Sequence, residues 1–529
     1  MSRLFQLGKD SVIYGIGGIL SKGISVLVLP LYTMLFTPVE YGTIEMLTVI
    51  ATFLSTIFAM GMDSVQSFYF FQESGNGKAG QARLVSAVLQ WRVLWGGSLV
   101  LLCTLTSPYL NSWLFGGELS WHYFAVAFAG ALLAQVMGQG IELFRLLYRP
   151  WPYILLSAAQ AILATAITLL LVYVLNMGIF GYIIGSTLAS LVIALLTLYM
   201  IREYLIFNEW ITGWWPRLIR FGLPLLPAGL AFSIMSNIDR WFIHYFHGDT
   251  VLGYYAVGAK IAILIAFVSE TFRKAWWPIA MDAMHGSDGP ETFRMIARLY
   301  MGLCVAGLVI LTFISPWLII QLAGPEYYQA WQLVGVLAWQ SVFYGFYLVA
   351  SAGIWKAEKT HLAMYLMTGT ALLNSLLNYL LVPAYAGMGA ALATAISYGV
   401  WVTVTLVVSE KLWYVNFPIA VLFAQVVSGV LFLIWYLLYW DSTSLLLQTG
   451  IVTVLSTALM IGALDRRNRL AIMARIFQLW TPAAIPPAGA NDVLLSLASI
   501  ETQPKKSTMT EQSIANQESS MTPKNGSLQ

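Results

Sequence analysis

Charge is what this 529-residue chain has least of: 10% of its residues are Asp, Glu, Lys or Arg, against 59% that are hydrophobic. Soluble domains carry about 25% charged residues, so a soluble globular fold is excluded and the chain reads as an all-α polytopic membrane protein. Cysteine is nearly absent as well. Cys103 and Cys304 stand alone in separate apolar segments, which leaves no disulfide framework or cysteine metal site, only two small core residues. The net charge of +3 is too small to suggest nucleic acid. Long polar loops are missing too, and with them a place for catalysis outside the membrane. No His-Glu-Xaa-Xaa-His sequence, phosphate-binding glycine loop or triad lies on an exposed segment, so neither enzyme chemistry nor a cofactor is expected.

What is present is a series of apolar runs of roughly 20 residues or more, the length that crosses a bilayer. Cuts at charges, Pro and Gly give about fourteen: 11–36, 41–70, 84–107, 120–147, 151–175, 179–204, 219–246, 252–280, 292–321, 326–354, 361–382, 387–409, 417–440 and 443–463. Twelve would remain if the last pair were re-entrant. The first run is too long for a signal peptide and lacks a clean cleavage site. Lys and Arg cluster in every second connection, whereas those near 37–40, 108–119, 176–178, 247–251, 322–325, 383–386 and 441–442 hold none. Under the positive-inside rule both termini are cytoplasmic. Past the last span, "LAIMARIFQLW" (470–480) has apolar residues at helical spacing, suited to the membrane surface or to a short packed helix. The tail beyond it is polar and of low complexity, and is expected to be disordered.

The chain repeats itself at an offset of about 210 residues. "VLPLYTMLFTPVEYGTIEML" (28–47) matches "IDRWFIHYFHGDTVLGYYAVGA" (238–259), "ELFRLLYRPWPYILLS" (142–157) matches "GIWKAEKTHLAMYLM" (353–367), and "YVLNMGIFGYIIGSTLAS" (173–190) matches "YLLVPAYAGMGAALATAIS" (379–397). The expected layout is a six-helix bundle over 1–206, a second over 207–411, two additional spans over 412–463 and a cytoplasmic tail over 464–529. Six spans per repeat is even, so the halves would be related by a pseudo-twofold axis along the membrane normal, with a substrate site between them.

"FGLPLLPAGLAFSIMSNIDRWFIHYF" (221–246), "GYYAVGAKIA" (253–262), "GIGGILSKGISVLVLPLYTMLFTPVEYG" (15–42) and "GMDSVQSFYF" (61–70) carry a family resemblance. They resemble the polysaccharide transporter family of the multidrug/oligosaccharidyl-lipid/polysaccharide exporter superfamily, which includes Wzx-type flippases. The resemblance covers roughly residues 10–465. It implies export of an isoprenoid-diphosphate-linked oligosaccharide across a bacterial plasma membrane by alternating access. Partners would be that lipid-linked oligosaccharide and membrane lipids, with polysaccharide polymerase and glycosyltransferases as neighbouring machinery. The family often has a basic residue before the Phe-Tyr of the second-span motif; Ser67 stands there in this chain. The alternative is a cation-coupled multidrug-type exporter of the same superfamily. A membrane glycosyltransferase or polymerase is a more distant reading, and a scaffold without turnover stays open.

Charges inside spans cost at least about 2.5–3.5 kcal/mol, so they face a cavity or a partner. Lys22 shares a helix face with Gly15, Gly18 and Ser25, a stripe that suits either helix packing or a passage. Its mid-span depth favours the passage. Arg240 continues a similar stripe of Gly229, Ser233 and Ser236, with Asn237 and His244 beside it. Lys22, Ser25, Ser233, Ser236, Asn237 and Arg240 are therefore the candidate substrate contacts. Asp239 points about 100° away from Arg240 and is expected to bridge to Lys260 on the next span. Asp63 and Glu270 are candidate ion-coupling carboxylates, and Glu45 and Glu270 lie close enough to an interface to be read as solvated. Arg145, Arg149, Lys356 and Lys359 occupy matching hairpins, where they set topology or draw an anionic head group to the entrance.

Overall fold

A computed structural model describes residues 23–464 except Ser25 and Ser287. Lys22, Ser25, the 470–480 segment and the tail lie outside the described residues. The rest is helical, with no strand among the described residues, because only a helix satisfies every backbone group of a segment surrounded by lipid.

The first element, α1, spans Leu29–Leu35 and belongs to the expected first run. Pro38–Ala59 forms α2. Its start is written in the sequence: Thr37 and Glu40 form a reciprocal capping box, with Pro38 in the first turn. Met60 and Gly61 adopt left-handed conformations and bend the chain into α3, Met62–Gln72. Then come α4 (Gly77–Leu114), α5 (Trp121–Leu146), α6 (Pro150–Leu169), α7 (Gly178–Met200) and the short amphipathic α8 (Trp215–Gly222). The remainder comprises α9 (Leu226–His285), α10 (Gly289–Ala323), α11 (Trp331–Ala350), α12 (Thr360–Leu412), α13 (Ile419–Tyr439) and α14 (Leu445–Ala463).

Among the described residues, eleven helical stretches are long and apolar enough to cross a membrane. Two of them are folded hairpins. Straight, the 60 residues of α9 would extend roughly 90 Å, about three times a bilayer's hydrocarbon thickness. Gly248 breaks it at φ 74°, ψ −175°, and the Tyr255 hydroxyl donates to Asp239, sixteen residues back. Ala386, at φ 50°, turns α12 in the same way. The described residues thus make thirteen passes, and both reversals fall where the sequence has a connection without Lys or Arg.

Two local geometries recur at the repeat offset. Tyr148 and Glu358 both take positive φ, 55° and 57°. The next N–H closes the same turn in each case, Arg149 onto Phe144 and Lys359 onto Ile354. At the Lys/Arg-poor end, a β carbon on Gly42 would overlap the carbonyl of Asp249, and one on Gly253 would overlap the carbonyl of Pro38. Positions 42 and 253 differ by the same 211 as 38 and 249, so the two approaches are exchanged images across the seam between halves. Tyr327 ties the same end together by donating to the Phe36 carbonyl (2.7 Å) and packing edge-on against Tyr41. The last two helices lean on the second half: Gly302 of α10 sits against Ala463 and Gln425, and the Tyr436 hydroxyl donates to the Phe313 carbonyl.

Candidate substrate-binding cavity

A cavity of about 360 Å³ lies among both arms of α9, α11 and α12, within the roughly 300–1,000 Å³ range of small-molecule sites. Its wall runs along the second arm from Tyr255 to Arg273, roughly 27 Å at a helical rise. Ser236, Gln340, Ser341, Tyr344 and Tyr398 supply hydroxyls and amides. One end carries Asp239 and Arg240, the other Glu270 and Arg273. The wall is amphipathic, with hydrogen-bonding groups set between aromatic faces.

Arg240 is not a free cation. Its Nε donates to Glu45 Oε1 at 2.7 Å, and its Nη1 donates to Asp239 Oδ1 at 3.1 Å and to the Ser236 carbonyl at 3.0 Å. Glu45 comes from α2 in the first half, so this bond crosses between halves. The expectation of a solvated Glu45 is corrected: its side chain is 16% exposed and bound to the arginine. Asp239 pairs with Arg240 and accepts from Tyr255 rather than bridging to Lys260. The 100° between adjacent residues applies at Cα, and the long arginine side chain curls back to close it. Lys260 instead lies 5.1 Å over the Tyr41 ring, close enough for its charge to be felt at Glu45. Among the described residues, two carboxylates and two cations thus gather in one buried cluster with balanced charge, the arrangement that lowers the cost of burial.

The other predicted residues are dispersed. Ser236 lines the cavity, whereas Ser233 is buried outside it and Asn237 donates back to the Ser233 carbonyl. Glu270 pairs with Arg273 at 2.6 Å. Asp63, half exposed, holds Arg92 at 2.8 Å. Arg145 pairs with Glu142, Lys356 lies 4.0 Å over the Trp413 ring, and Arg149 and Lys359 are exposed at their repeated turns. Arg92 was not singled out from the sequence, although a charge between Trp91 and Val93 in an apolar run is the signal that would have found it. Its side chain is 0% exposed, bonded to Asp63 and Gln135, with Gln135 passing the network to Ser55 at 2.6 Å. Glu45 was legible only by balance, since Arg240 and Lys260 need two carboxylates and Asp239 is one.

Two arrays of membrane-crossing helices meeting at a seam, with a charged cavity beside it, define a polytopic membrane protein. The chain belongs to the polysaccharide biosynthesis protein family, whose model matches residues 7–284; a MatE model matches residues 224–380. Lsg locus putative protein 1 of Haemophilus influenzae is 21% identical over 282 residues, covering 52% of this chain and 66% of that relative. An uncharacterized membrane protein of Methanocaldococcus jannaschii is 23% identical over 416 residues, 74% of this chain and 95% of its own length. Among solved structures, lipid II flippase MurJ in an inward closed conformation gives a TM-score of 0.64 at 15% identity, over 88% of this chain and 99% of that one. An inward-facing multidrug resistance MATE family transporter gives 0.60 at 15% identity, over 76% and 94%. At such identities the likeness is one of fold.

Proposed function

We propose that the chain moves an isoprenoid-diphosphate-linked oligosaccharide from the cytoplasmic to the outer leaflet of a bacterial plasma membrane, with both termini in the cytoplasm. The observation that carries this reading is Arg240, held by Glu45 across the seam and facing a cavity lined with hydroxyls and amides. A diphosphate competes with the Glu45 carboxylate for the guanidinium, which favours such bidentate anions. Taking Arg240 from Glu45 would release a bond between the halves, so head-group binding and the rocking of alternating access become one event. The sugar chain then lies along Gln340, Ser341, Tyr344 and Tyr398, and the lipid tail stays in the bilayer. Lys22 and Ser25 are proposed first-half contacts, and Arg145, Arg149, Lys356 and Lys359 gather the anionic head at the entrance. Polymerase and glycosyltransferases are the proposed neighbours.

The MatE match over the cavity-forming helices favours a second reading, a multidrug-type exporter in which Asp63 or Glu270 binds the coupling cation. Reconstitution into liposomes separates the two. A lipid-linked oligosaccharide that reaches the far leaflet only when the protein is present supports the flippase, with Arg240→Lys slower than the native chain. Efflux of organic cations without any lipid-linked oligosaccharide movement would instead establish the exporter.

A further inference from the structure

The Lys/Arg-poor end of the seam holds a histidine that the cavity does not use. His244 lies on the first arm of α9, its side chain 8% exposed. Its Nδ1 is 2.5 Å from Asp249 Oδ1, and its Nε2 is 2.7 Å from the carbonyl oxygen of Leu114, the last residue of α4. The second Asp249 oxygen accepts from the Thr43 hydroxyl of α2 at 2.5 Å. Leu114 and Thr43 belong to the first half, His244 and Asp249 to the second, so these bonds cross the interface. The Phe115 ring stands 5.1 Å from the imidazole. Arg240, one turn back, is turned toward Glu45 and Asp239. Among the described residues, Asp249 is the ionisable side chain bonded to His244.

Counting hydrogens fixes the state of this cluster. A neutral imidazole has one N–H and one lone pair. The Leu114 carbonyl only accepts, so Nε2 carries a hydrogen. Nδ1 then either carries a second hydrogen and donates to an ionised Asp249, or accepts from a protonated Asp249. Both descriptions place one proton on the pair beyond neutral histidine and ionised aspartate. Without it, a lone pair confronts an acceptor oxygen at 2.5 or 2.7 Å, and one of the two bonds must break.

We infer that His244 and Asp249 form a proton-binding site whose bound proton holds the two halves together at the Lys/Arg-poor end. The inference rests on the alternating-access reading above and gives it a coupling ion. Proton binding closes this end; proton loss frees His244 from Leu114 or from Asp249 and lets the halves part. Because the closed state holds one proton more, low pH favours closure, and the open-to-closed ratio rises by up to about tenfold per pH unit.

The test places nitroxide labels at Glu118, on a loop, and Tyr385, beside the α12 reversal, exposed positions of opposite halves at this end, in the full chain with Cys103 and Cys304 replaced by Ala, in lipid nanodiscs. Label-to-label distances are read by pulsed electron resonance from pH 5.5 to 8.5. A short distance at pH 5.5 that gives way to a longer one as pH rises supports the site. His244→Gln should show the longer distance at every pH. Asp249→Asn should show the short one at every pH, since its amide donates to Nδ1 while its oxygen accepts from Thr43. A native distribution unchanged across the range overturns the inference, and so does Asp249→Asn retaining native pH dependence. Lipid-linked oligosaccharide movement, assayed separately, keeps the two readings apart. Translocation without pH-dependent distances sinks only the proton site, and pH-dependent distances without translocation sink only the substrate.

Discussion

Arg240 shows how far a single side chain can depart from its helical-wheel position. With its charge removed, Glu45 and Asp239 remain enclosed near each other, with Lys260 the nearby cation among the described residues. Arg240→Gln is therefore expected to lose about 3–5 kcal/mol of stability, the usual loss on stripping one partner from a buried pair, read as a lower melting temperature in detergent. Glu45→Gln combined with Arg240→Gln should recover part of that loss. A double variant no more stable than Arg240→Gln alone would show that the two residues are not coupled. The sequence singled out Arg240 as a charge inside an apolar run, and the structure buries it at the cavity wall beside Ser236. It did not reveal the partners, because Glu45 lies nearly two hundred residues away and only the packed seam brings it within reach. Arg92 was missed for a related reason: its expense is met by Gln135 and Asp63, on other helices.

At the scale of elements, the reversals decide how the chain threads. Gly248 sits at a backbone conformation open almost only to glycine. Gly248→Ala should cost about 1–3 kcal/mol and leave less folded protein, measured by detergent thermal shift and by fluorescence-detected gel filtration. Gly42 and Gly253 present a different demand, namely space. Ala at either position meets a backbone carbonyl rather than a movable side chain, so Gly42→Ala and Gly253→Ala should both weaken the seam, and to similar extents. Unequal shifts in the accessibility of a cysteine placed at Glu118 would count against their equivalence. Both hairpin turns were legible in the sequence as gaps in the Lys/Arg pattern. Helix ends were less so: α4 runs from Gly77 to Leu114, well past the expected 84–107, because apolarity marks where a helix meets lipid and not where it stops. The bend at Met60–Gly61 left no sign that composition alone could reveal.

For the whole molecule, charge asymmetry makes the clearest prediction. If the Lys/Arg-rich end faces the cytoplasm, a single cysteine at Glu118 should react in intact cells with a maleimide that cannot cross membranes, and one at Lys78 should not. The reverse labelling would invert the topology and the proposed direction of transport with it. The offset of about 210 was legible in the chain, and the turns at Tyr148 and Glu358 recur at it. That the halves touch through their Lys/Arg-poor tips could not, since contact between distant segments depends on shape.

The exchanged contacts at Gly42 and Gly253 carry a mechanical consequence. Each sets the backbone of one half against the other through segments at the same offset, so moving the halves apart disturbs both. Parting at the seam is therefore expected to be all-or-none, with no population in which only one contact has let go.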